Sequence, residues 1–167
     1  MTFTTGERVF YPAQGPCLIG AVEMKMVAGR ATSFYRLTLL DENGGAVFVP
    51  VDKVKALHIR HLIDKSEIPK VLRYLQKSGG KAKNWRQREL DNTKLLSSGS
   101  AFDLAELVES LTELDVARTL SLRDRHILNK ARHFLICEIS QVTGETRVET
   151  EERIEKALKA PKSQTLR

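Results

Sequence analysis

The chain has one tryptophan, two cysteines and no apolar run near the ~20 residues that a membrane-spanning helix requires. Cys17 and Cys137 lie far apart in zones of different composition. Such a pair makes neither a disulfide framework nor a CxxC metal site, and both are expected to be small buried hydrophobes. The opening MTFTTGERVF lacks the basic-then-apolar design of a signal peptide. A soluble, cytoplasmic protein with no membrane partner is the expectation. Catalytic signatures are missing as well: there is no GxSxG, HExxH or GxGxxG. "SGGKAK" is close to a phosphate loop, but Leu75 stands where the first glycine belongs and Ala82 follows the lysine. His58 and His61 have no Cys or carboxylate pattern beside them. His126 and His133, seven apart, can share a helix face without reaching one ion. No metal, cofactor, small-molecule ligand or enzymatic activity is expected.

What is present is positive charge in one place. The 167 residues carry a net charge of +6, with 41% hydrophobic content, enough for a slightly lean core in one domain or two small ones. Residues 1–65 are net +2 and residues 102–167 are net −1. Residues 66–101 hold eight Lys and Arg against three Asp and Glu, a net +5. A focused patch suits phosphate binding, because each neutralised phosphate releases condensed counterions. The same window contains Trp85, in KAKNWRQREL, with Lys81 and Lys83 before it and Arg86 and Arg88 after it. Two readings of Trp85 stand side by side. It can anchor a short helix to a bundle, or it can be an exposed wedge that stacks on bases while the cations hold phosphates.

Two periodicities divide the chain. Up to about residue 60 it reads as strands: ERVFYP, CLIGAVEMKMV, SFYRLTLL, AVFVPV and a short last one in KVKALHI. Turn signals separate them at Gln14-Gly15-Pro16, Ala28-Gly29-Arg30 and Asn43-Gly44. Phe34, Arg36 and Thr38 alternate with Tyr35, Leu37 and Leu39. From Ser66 the period becomes helical: Ile68, Val71, Leu72 and Leu75 fall at i, i+3, i+4 and i+7. Cap signals follow at Ser100/Asp103, Ser121/Asp124 and Thr146/Glu149, and Gly144 and Pro161 are stops. The expected architecture is α+β in two domains. A five-stranded antiparallel β module (1–62) leads through a linker (63–66) to about five short helices (67–160), with a frayed tail (161–167).

The ordered segments GERVFYPAQG, SFYRL, Val49-Pro50, NWRQR, SSGS and LSLRDRHILNKAR resemble the CarD/CdnL family of bacterial transcription factors over roughly residues 1–160. The resemblance implies a Tudor-like N-terminal module that binds the RNA polymerase β subunit. It implies a C-terminal helical domain that contacts promoter DNA in the minor groove at the upstream edge of the melted bubble. The protein would then be a monomer, nucleoid-associated through polymerase, that stabilises the open complex without reading an operator. By position, Trp85 is the implied wedge and Arg88 its basic neighbour. Gln87 stands where relatives often carry the first of two arginines, and Arg86 is shifted one place, about 100° around a helix. Lys83 belongs to the same cluster, and Arg125 and Lys130 match further DNA-facing positions. In the β module Lys25 matches a polymerase contact, and Phe48 stands where some relatives carry arginine. Tyr35, Val47 and Pro50 are either further contacts or strand packing. The rival from another class is an adaptor whose helical domain binds a second protein.

Overall fold

The computed structural model describes residues 2–76 and 85–161, and of residues 85–89 the backbone alone. The expected tail falls outside the described residues except for Pro161. The chain divides into two compact units, Met1–Leu62 and Ile63–Arg167.

The first unit is one antiparallel sheet. Its strands are β1 (Arg8–Tyr11), β2 (Gly15–Val27), β3 (Arg30–Leu39), β4 (Ala46–Pro50) and β5 (Arg60–His61). They lie in the order β4-β3-β2-β1-β5, which leaves β4 and β5 as the edges of the sheet. The β2–β3 connection is tight because Ala28 and Gly29 both take positive φ (50° and 78°). That mirror-image turn matches the right-handed twist of the strands it joins. The pairing of β2 with β3 slips between Ile19 and Val22. Gly20 lies in that irregularity, where a Cβ would meet the backbone oxygen of Arg36 at 3.0 Å. The Asn43-Gly44 signal marks a real hairpin, but its loop is longer than two residues. Asp41 Oδ1 accepts from the amides of Asn43 and Gly44, each at 3.1 Å, and fixes the chain before β4 begins.

The alternation in SFYRLTLL decides the core. Tyr35 and Leu37 point inward with Val9, Cys17, Ile19, Val49, Val54 and Ile59, whereas Arg36 and Thr38 face out. Tyr35 is buried with its polar tip satisfied, since the Phe3 amide donates to its hydroxyl at 3.0 Å. The expected fifth strand in KVKALHI is displaced. Val51–Lys53 form a 3-10 turn, and pairing with β1 is taken over by Arg60 and His61. Val54 and Ile59 instead plug the core from that crossover.

The second unit is helical: α1 (Ile68–Leu75), α2 (Trp85–Ser98), α3 (Ala101–Ala117), α4 (Leu122–Thr143) and α5 (Arg147–Lys159). The cap signals work as physics requires. Ser100, Ser121 and Thr146 side chains accept from the amides of Asp103, Asp124 and Glu149. Glu149 closes a capping box by accepting from Thr146 N–H at 2.9 Å. Gly144 ends α4 in the left-handed region at φ 78°. The core combines Val71 and Leu75 of α1 with Leu104, Leu107 and Leu111 of α3, Ala131, Leu135 and Ile139 of α4, and Ile154 of α5, all essentially sealed from water. Ile63, in the expected linker, donates its amide to Glu138 Oε2 at 2.9 Å, which ties the start of this unit to α4. Among the described residues, no helix is long and apolar enough to cross a membrane.

Candidate functional site

The sheet unit separates its five candidate contact residues by strand period. Successive side chains leave opposite faces of a strand. Phe48 pairs with the outward Arg36, and Val47 with the inward Leu37. Phe48 is accordingly 41% exposed. Pro50 is half-buried at the end of the same edge strand, and Lys25 is exposed on β2. The Lys25 ammonium sits 3.4 Å from the centre of the Phe48 ring. This cation–π contact, worth ~0.5–1 kcal/mol at an exposed site, holds charge and ring as one feature. Tyr35 and Val47 behave differently. Tyr35 is 2% exposed and packs in the core of the sheet. Val47 leans on the same core.

The strip along the end of β2 has no counterpart among the residues expected from sequence. β2 outruns the core, so the inward face continues as exposed Val22, Met24 and Met26, the last 70% exposed. Alternation is visible in the sequence, but the length of the strand relative to its core is not.

In the helical unit the backbone of Trp85, Arg86 and Arg88 forms the first turn of α2. Their side chains, and Lys83 altogether, lie outside the described residues. Along the rest of α2, Leu90 and Lys94 are exposed and Asn92 is buried. The start of α4 meets this helix: Arg123 Nη2 donates to Thr93 Oγ1 at 2.9 Å, and the neighbouring Leu122 is 91% exposed. Leu122, at the first position of α4, adds exposed apolar surface next to Arg123.

The two basic candidates on α4 are occupied locally. Arg125 Nη2 is 2.8 Å from Asp115 Oδ1, in a pair with both side chains well exposed. Lys130 lies 5.7 Å from the Phe134 ring centre. Farther along, Arg132 pairs with Glu151 and Glu155, and Arg153 pairs with Glu145. These pairs leave much of the arginine charge in residues 102–167 locally compensated.

Thiol chemistry is suppressed in the sheet unit. Burial, aided by the Asp41 charge, pushes the Cys17 thiol up to about 12 from an ordinary value of 9.0. Both cysteines are buried thiols.

A sheet unit with an open edge strand, followed by a separately packed helical unit, defines a two-part α+β protein. Family comparison gives both parts a place. Residues 3–63 match the CarD-like/TRCF RID domain and residues 70–155 match the CarD C-terminal domain. The chain belongs to the CarD family, which makes it a transcription factor of the RNA polymerase-interacting type. It is 26% identical over 145 residues to a putative transcription factor, YdeB, of Bacillus subtilis (strain 168), covering 86% of this chain and 94% of that one. It is also similar to the 72-residue N-terminal domain of Myxococcus xanthus CarD, solved by solution NMR. That match has 38% identity, a TM-score of 0.31, and coverage of 36% of this chain and 79% of the other.

Proposed function

We propose that this protein bridges RNA polymerase and promoter DNA and so prolongs the open complex. In this reading the sheet unit grips the polymerase β subunit. The open β4 edge can add a partner strand through main-chain hydrogen bonds, and the Lys25–Phe48 pair on the outward face supplies specificity. The helical unit grips the upstream edge of the melted bubble through the Trp85 segment. A ring inserted at a base step costs little where the duplex is already unstacked, which favours the bubble edge over intact duplex. Cations around the ring hold phosphates and carry no base code, so no operator is read.

Neither grip needs to be strong. Attachment to polymerase raises the local concentration of the helical unit at the promoter, so weak DNA affinity suffices. The bridge shifts the closed–open equilibrium only by its preference for the open form. The observation that carries the proposal is the match of both units, in order, to the two domains of one transcription-factor family.

A second reading, an adaptor whose helical unit binds another protein, draws support from the α4 arginines that carboxylates already neutralise. A capture experiment with polymerase, with and without promoter DNA, separates the two: the bridge predicts that promoter DNA increases polymerase retention, and the adaptor predicts no change. Immobilised full-length protein should retain the polymerase β subunit without DNA, lose most of it on Phe48→Ala, and retain little naked promoter duplex. Tight capture of a short duplex with no capture of polymerase would contradict the bridge.

A further inference from the structure

Part of the positive charge in the central window lies away from the Trp85 helix. Lys70 and Arg73 are exposed on α1, one helical turn apart. With Tyr74 and Phe102 they line an open groove of about 300 Å³ between α1 and the first turn of α3. The Tyr74 and Phe102 rings stand 5.1 Å apart, centre to centre, at 56° to each other. Both rings are only half-buried. Arg125, Arg132 and Arg153 all sit on carboxylates, whereas neither Lys70 nor Arg73 makes an ion pair with any described residue.

We propose that this groove is a second nucleic-acid contact, one that takes a base of a single strand. Tilted rings offer a base an aromatic wall on one side, and two cations at the rim, without an ion pair among the described residues, hold the phosphates that flank it. That is the chemistry of sequence-tolerant single-strand binding. A duplex keeps its bases stacked inside and presents no face to such a cleft. An acidic peptide would satisfy the two cations but would leave the ring pair unused. The proposal rests on the reading of the helical unit as a DNA-binding unit, and it extends that unit's footprint from the bubble edge to an unpaired strand.

The test uses the full chain carrying Trp85→Ala, so that the first site does not contribute. Anisotropy is measured with a labelled short oligothymidylate, the same oligomer without bases, a duplex and a polyglutamate peptide. Lys70→Gln with Arg73→Gln should weaken oligothymidylate binding about tenfold. It should also flatten the salt dependence by roughly 0.7 for each phosphate no longer neutralised. Phe102→Leu should cost about fivefold on the base-bearing oligomer and nothing on the abasic one. Unchanged affinity in the double-cation variant overturns the proposal, and so does peptide binding as tight as that of oligothymidylate. In the otherwise unaltered chain, Trp85→Ala tests the bubble-edge site alone. Loss there with no effect of the groove variants leaves the bridge standing and removes the groove, and the converse removes the wedge.

Discussion

The two units solve the problem of presenting a surface in different ways. In the sheet unit a residue's role is fixed by parity. Neighbours on β4 differ by half a period, so Val47 supports the core while Phe48 meets solvent. In the helical unit the role of a basic residue is fixed by the carboxylates within reach. Arg125 and Arg132 are spoken for, whereas among the described residues Lys70 and Arg73 have no ion-pair partner. Net charge along the sequence therefore says where cations are concentrated, and only the fold says which of them remain available.

Four tests sharpen that contrast. The largest effect should come from parity. Tyr35→Ala removes a buried ring and should cost ~3–5 kcal/mol in urea unfolding. Phe48→Ala, on the adjacent strand, should cost at most ~1 kcal/mol, chiefly through its cation–π pair with Lys25. Equal costs would show that parity does not separate core from surface here.

The second test uses pH. The neutral Cys17 thiol is favoured in the folded protein, because its value is raised from 9.0 to about 12 by burial and by Asp41. Its contribution to stability is full below pH 9, falls as pH rises above 9, and is lost by about 12. Unfolding followed between pH 8 and 11 should show that decline, and Cys17→Ala should flatten it. A rise in stability over that interval would reverse the assignment.

Third, Thr146→Ala removes the side chain that caps α5 and should lower helical-unit stability by ~1 kcal/mol. The smallest effect should come from Asp115→Asn. It frees Arg125 from an exposed pair worth at most ~1 kcal/mol, so DNA affinity should rise no more than a few-fold. A fall would mean that Asp115 positions Arg125 for its role on DNA instead of competing for it.

Much of this is legible in the sequence because it is local chemistry. Ser100, Ser121, Thr146 and Gly144 announce the ends of α3, α4 and α5, and the structure places caps and a stop at those residues. The alternation around Tyr35 announces a strand with one dry face. Less visible is anything set by pairing at a distance. The fifth strand is fixed by what β1 can reach, so it forms at Arg60–His61 and not in KVKALHI. Asn43-Gly44 signals a turn, but Asp41 sets the length of its loop. The Tyr74–Phe102 groove joins residues 28 positions apart and has no local signature. Trp85 is legible as an oddity of composition, a sole indole among cations, and its two readings call for a functional experiment.

The most direct test is the lifetime of open promoter complexes after competitor challenge, with wild-type protein, with Trp85→Ala and with no factor. Stacking worth ~1–3 kcal/mol predicts that Trp85→Ala shortens the factor-dependent lifetime about five- to a hundred-fold while polymerase capture stays at the wild-type level. A Trp85→Ala protein that binds polymerase and sustains the full wild-type lifetime would contradict the bridge.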